Sequence, residues 1–263
     1  NKFHLMTKER KTQLNSQVIT EIEYNEDPSK QFVDQPANLQ QPRLVTTTYK
    51  DLLTEKTRTE TVETISDDWG NTTQTTEASG IKKDYVYYSG IEASEGCPAD
   101  PLGFTRFLKS LTQTPVSIEG VETEPKVTTY TYSELGTFEQ AHISAYVVKA
   151  TEEINDKVSK SFIYVDDTTS NTHGLLSTIT SVMDGQTSNI QMSHLYEAGT
   201  ITTDAVITGY DNYTMQSQSV VSVCTQQQLQ NTHVNQLVTD TEKELYGRRN
   251  TQTTTRRTTT STG

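Results

Sequence analysis

Two adjacent acid pairs, Asp67-Asp68 and Asp166-Asp167, are the first residues here that could do chemistry. Paired carboxylates can bind calcium or share acid–base work. Neither pair sits in the spaced twelve-residue pattern of a calcium loop, so bonding a turn backbone is the reading their spacing supports. The five histidines, His4, His142, His173, His194 and His233, form neither a close pair nor an H-E-x-x-H motif. That argues against a metal centre. Cys97 could be a nucleophile, but it would need an activating histidine, and the sequence places none beside it; a small buried or loop cysteine is the reading it supports. Cys97 and Cys224 are the only two cysteines, too few for a disulfide framework and in no zinc spacing. No phosphate-cradling glycine loop and no G-x-S-x-G elbow is present. The expectation is therefore no catalytic, cofactor-binding or metal-ligating residue.

Aromatic residues raise a different possibility. Tyr85, Tyr87, Tyr88, Tyr130 and Tyr132 could form a platform for a glycan, with Trp69 as a further stacking group. Cross-strand aromatic pairing explains the tyrosines without a ligand, and Trp69 is expected to fold back over its own hairpin.

These residues must be positioned by strands. The chain has 263 residues, of which only 32% are hydrophobic, and it carries a net charge of -12. Its 13 tyrosines and abundant threonine favour strands, and 13 glycines with 7 prolines are too few for a flexible linker. The acidity disfavours nucleic acid. Arg248, Arg249, Arg256 and Arg257 are read as a solvated strand face. No apolar run approaches the ~20 residues of a membrane span. The sequons at Asn71 and Asn212 are those expected by chance in a threonine-rich chain.

Period-2 alternation dominates: KVTTYTYSELG, GIKKDYVYYSG, KSFIYVDD, LLSTITSVMDG and TTDAVITGYDN each alternate sides residue by residue. Short polar turns between them predict antiparallel hairpins. A recurring unit of alternating strand, acidic turn, glycine and alternating strand places turns at Gly70, Gly136, Gly185 and Gly247, with Asp67 and Asp68 serving the first. Residues 1–43 read as N-terminal strands with a connecting loop, and residues 44–263 as a continuous β-strip.

The stretch GCPADPLGFTRFLKSLTQTP interrupts this pattern. Cys97, Pro98, Asp100, Pro101 and Gly103 read as a stiff corner spanning Gly90 to Gly103. After it, a strand from Phe104 to Thr114 fits better than a helix capped by Asp100.

Y-x-Y-x-x-x-G at Tyr130, Tyr132 and Gly136, and D-D-W-G-N-T-T-Q-T-T from Asp67, resemble the YD repeat of the RHS proteins. DYVYYSG followed by CPADPLGFTRFLKS resembles a segment of the large RHS-type proteins related to the B and C components of bacterial insecticidal toxin complexes. HGLLSTITSVMDGQTS and ITGYDNYTMQSQSV follow in the same order. Ser133 stands where Asp is usual and Ser66 where Tyr is usual. The family's autoproteolytic aspartates have no counterpart here.

The resemblance implies an all-β fold, a long antiparallel hairpin strip curved into part of a hollow shell that encloses a C-terminal toxic polypeptide. It implies a non-enzymatic role in a secreted toxin component made in the cytoplasm. Its implied partners are the remainder of the same shell, the enclosed toxin and other toxin-complex subunits, with no cofactor. The rival reading is an extracellular binding module for glycans or a cell-surface receptor.

Overall fold

The computed structural model describes residues 4–117, 119, 121, 123–138, 141–232, 237–243 and 249–256. These form an all-β, antiparallel chain of hairpins whose only helical element is a single 3₁₀ turn at Phe32–Asp34. The chain divides into two compact units, residues 1–94 with 103–129, and residues 95–102 with 130–263.

The first unit holds β1 (Lys8–Gln13), β2 (Ser16–Tyr24), β3 (Pro42–Asp51), β4 (Thr57–Ser66), β5 (Thr72–Thr76), β6 (Lys82–Tyr87), β7 (Leu108–Thr114) and the opening residues of β8 (Lys126–Gly136). Each strand pairs antiparallel with the next. Because direction alternates, the loops 25–41, 67–71 and 88–107 leave from one end, and the connections at 14–15, 52–56 and 77–81 from the other. Position 43 lies within β3, which pairs along its length with β2.

The second unit contains the rest of β8, then β9 (Ala145–Ile154), β10 (Val158–Tyr164), β11 (Leu176–Met183), β12 (Gln186–Glu197), β13 (Thr200–Thr208), β14 (Thr214–Ser222), β15 (Gln228–Thr232), β16 (Leu237–Lys243) and β17 (Arg249–Arg256). From β9 onward every described ladder joins sequence neighbours.

Register segregates the two faces of this second sheet. Phe162, Ile179, Ile190, Ile207 and Met215 are successive cross-strand partners and form one apolar row. One residue away, on the opposite face, Ser161, Thr180, Asn189, Thr208 and Thr214 form a row of hydroxyls and an amide. A one-residue slip would exchange these rows, so the alternation fixes the pairing.

Burial does not follow the strands. Among the described residues the buried apolar side chains are Leu39, Tyr88, Cys97, Phe107, Leu135 and Ala145, and no large side chain falls below 2% exposure. All six lie in, or next to, a long loop. The described strands carry mostly half-exposed or exposed side chains, which is what 32% hydrophobic content allows.

Candidate functional site

The region built with most care is the connection from Tyr88 to Phe107. Tyr88 and Phe107 close it in register, with the Tyr88 N–H donating to the Phe107 carbonyl at 2.9 Å. Phe104 meets Phe107 edge-on, with ring centroids 5.1 Å apart. Gly90 has φ +68°, and a Cβ there would run into the Phe104 carbonyl oxygen. Only glycine permits that close approach in that conformation.

Residues 95–102 belong to the second unit. There the Tyr132 N–H donates to the Gly96 carbonyl at 2.8 Å. Cys97 is 2% exposed and its Sγ lies 3.4 Å from the Pro98 carbonyl oxygen. Burial, and secondarily the Asp100 carboxylate, push the thiol pKa up. Such a thiol stays protonated at neutral pH and is a poor nucleophile. Asp100 accepts the Leu102 N–H at 2.9 Å, a local turn bond, and Pro101 is the intervening residue. No helix forms, and the following strand begins at Leu108, four residues after the expected Phe104. Leu102 is exposed, and Gly103 stands in open space with φ +69°.

A second knot lies in the first unit at 67–71. Asp67 Oδ1 accepts the N–H groups of Trp69 and Asn71 at 3.0 and 2.8 Å. Asn71 is buried, and its Nδ2 donates to Asp67 Oδ2 at 3.0 Å and to the Thr105 carbonyl at 3.3 Å. The amide is thereby withdrawn from any role as a glycan acceptor, and its Oδ1 is buried without a hydrogen bond. Gly70 takes φ +77° inside this loop, and Asp68 is exposed beside it. Trp69 does not fold back over its hairpin: it is 64% exposed, because the Asp67 bonds hold the loop backbone and leave the indole outside.

Sequence reasoning missed the long-range half of this knot. The D-x-x-x-N spacing is visible, but Thr105 lies 34 residues away from Asn71. Leu39 is likewise buried through a loop, 25–41, in which the Asn38 amide donates to the Ser66 carbonyl at 2.8 Å.

The third knot is in the second unit. His173 Nε2 lies 2.7 Å from the Gly136 carbonyl, so Nε2 carries the proton. Phe138 and Tyr146 present their rings edge-on to the imidazole. Gly136 therefore closes β8 instead of forming a tight tip. The connection runs on from Thr137 to Ser144, and Thr137 N–H donates to the Ser144 carbonyl at 3.1 Å. Asp167 accepts the Thr169 hydroxyl and N–H at 2.6 and 2.9 Å, which holds its pKa below the usual range. His194 is also spent structurally, on the Leu176 carbonyl and the Thr203 hydroxyl. Among the described residues no cluster of three potential metal ligands forms.

Tyr85, Tyr87 and Tyr88 lie in the first unit, and Tyr130 and Tyr132 in the second. Tyr88 is buried, and the Tyr87 hydroxyl donates to the Thr72 carbonyl at 3.0 Å. In the second unit Lys149 Nζ lies 5.7 Å from the Tyr130 ring centroid and 4.4 Å from that of Phe162. Tyr132 continues β8. Gly185 sits at φ +76° in the two-residue tip joining β11 to β12. Gly247, Arg248, Arg257 and His233 lie outside the described residues.

No family model matches this chain, and no curated protein matches it. Among solved structures it is weakly similar to a toxin-complex component, in the crystal structure of TcdB2-TccC3-TEV. Identity is 14% over 91% of this chain, with a TM-score of 0.22. The match spans 14% of that longer chain. No helix of the described residues is long and apolar enough to cross a membrane.

Proposed function

We propose that this chain is a wall segment of an RHS/YD-repeat-type shell that encloses a toxic polypeptide, with an architectural role and no catalysis of its own. One observation carries the reading: among the described residues the buried apolar side chains are few and gather in or beside the long loops, while the strands carry mostly half-exposed side chains. A globular domain would place its core between layers. A wall needs continuity along the ladder and stiffness at its corners, which the Gly90–Phe107 connection and the 67–71 and 136–175 knots supply. The sequence resemblance, carried by CPADPLGF and the Y-x-Y-x-x-x-G unit, supplies the family context. The enclosed polypeptide, the rest of the shell and export from the cell belong to this proposal.

The test is imaging of the intact particle that contains this chain. A closed hollow particle with these strands in its wall is the expected outcome. A solid globule, or a rod without an interior, would overturn the reading.

A further inference from the structure

Leu14 and Leu53 occupy neighbouring hairpin tips of the first unit, and both are turned out to solvent, 90% and 74% exposed. The tips are tied together, since the Leu52 N–H donates to the Asn15 carbonyl at 2.8 Å. Leu14 also breaks a backbone rule. Its φ is +50°, in the left-handed region that favours glycine or asparagine, and its side chain gains no burial there. Two adjacent apolar groups at protruding points, one of them in a strained conformation, mark a contact surface.

Bases flank both tips. Lys11, Val18, Tyr49 and Arg58 are successive cross-strand partners on one face. Lys50 pairs with Gln17 and Thr57 on the other face, and Lys56 precedes β4. Val18, Tyr49, Lys50, Lys56 and Arg58 line a shallow cleft of about 360 Å³ behind the tips. Along the stretches 8–21 and 50–60, six bases (Lys8, Arg10, Lys11, Lys50, Lys56, Arg58) stand with five acids (Glu9, Glu21, Asp51, Glu55, Glu60), in a chain of net charge -12. Four of these bases are already in ion pairs, Lys8 with Glu21, Lys11 with Glu9, Lys50 with Glu55 and Arg58 with Glu60. Among the described residues neither Arg10 nor Lys56 is in an ion pair.

We propose that this pair of tips docks on the surface of an anionic lipid bilayer, with Leu14 and Leu53 entering the interface and the bases meeting lipid headgroups. The layering fits. Arg10 stands four residues before Leu14 and Lys56 three after Leu53, so a base outside any ion pair flanks each apolar point. Interfacial apolar groups sink about 5–10 Å below the headgroups, which leaves bases at their rim to meet the phosphates. Protruding tips suit a bilayer better than a peptide, which needs a groove. The acidity of the remaining chain does not forbid this approach, because charges beyond about 8 Å are screened at physiological ionic strength.

The experiment is vesicle flotation of the 263-residue chain. Binding is expected to phosphatidylserine-containing vesicles, not to pure phosphatidylcholine. The double variant Leu14→Asn/Leu53→Asn should lower the bound fraction about fivefold or more. It should do so with an unchanged or higher melting temperature, since asparagine accepts the left-handed conformation. Arg10→Glu/Lys56→Glu should lower binding at least as far, each base near an anionic surface counting for about fivefold. Absence of flotation with the anionic vesicles, or flotation indifferent to the leucine pair in a normally melting variant, overturns the proposal. Displacement of the vesicles by soluble polyglutamate at equal ionic strength also overturns it and points to an acidic polypeptide instead.

Discussion

Gly90, in the connection after β6, and Gly185, at the tip between β11 and β12, have nearly the same backbone, with φ +68° and +76°. Their surroundings differ. A Cβ on Gly90 would strike the Phe104 carbonyl, whereas a Cβ on Gly185 meets nothing within 4 Å. One glycine is required by a neighbouring chain, the other only by the turn. The same difference separates the long loops from the tight tips generally. The loops bury Leu39, Asn71, Tyr88, Cys97 and Phe107, and the tips bury nothing. Loops therefore carry tertiary structure, and tips carry local geometry.

The largest effect that could break this comparison is at Gly90. Gly90→Ala adds a left-handed penalty to an overpacking clash, for a loss of about 3 kcal/mol. Thermal or urea unfolding measures it, and a loss no greater than that of Gly185→Ala would erase the distinction. Asn71→Ala should come next. It removes the Nδ2 bonds to the Asp67 carboxylate and the Thr105 carbonyl, but also a buried Oδ1 that accepts nothing. The two changes partly offset, leaving a loss of about 2 kcal/mol. Gly185→Ala, with only the backbone penalty to meet, should cost about 1 kcal/mol. If its melting temperature falls as far as that of Gly90→Ala, tips are not the purely local devices argued here.

Tips were legible in the sequence and loops were not, for a physical reason. Asp184-Gly185 announces a two-residue turn by its own chemistry, and the alternation on either side sets the register from Met183–Gln186 outward. The hairpin architecture follows from such local signals. Gly136 carried the same local signal and misled, because its carbonyl is claimed by His173, 37 residues on. The corner at Cys97–Gly103 was visible as punctuation, but its joining of residues 95–102 to the second unit depends on Tyr132. Leu14 was invisible for the opposite reason: nothing in Q-L-N-S says that the leucine will be left in the open.

Smaller effects sharpen the role of the corner. Pro98→Ala leaves the Cys97 Sγ contact, which is to a backbone carbonyl, but frees the unfolded chain. A loss of about 0.5 kcal/mol is expected, read as a lower melting temperature with unchanged thiol labelling of Cys97 in the native state. Fast native labelling of Cys97, at a rate like that of the exposed Cys224, would mean that the proline holds the corner shut and does more than limit chain entropy.

Acid should treat both kinds of connection alike. Asp27, in the loop after β2, has its pKa lowered by the Ser29 hydroxyl and N–H, with help from Lys30. Asp51, at the tip after β3, has its pKa lowered by the Leu53 and Thr54 N–H groups. Glu77, between β5 and β6, has its pKa lowered chiefly by Lys83. Each carboxylate titrates lower in the folded chain than in the unfolded one. Its contribution is therefore complete above the unfolded value of about 4, and is lost as pH falls through the folded value. Asp51 is exposed and Asp27 and Glu77 are half-exposed, so each effect is small and salt-sensitive. Melting temperature followed downward from neutral pH should begin to fall near pH ~4, and Asp27→Asn and Asp51→Asn should each flatten that fall. A flattening confined to Asp27→Asn would show that the loop, not the tip, carries the acid sensitivity, and would extend to electrostatics a contrast that the structure confines to packing.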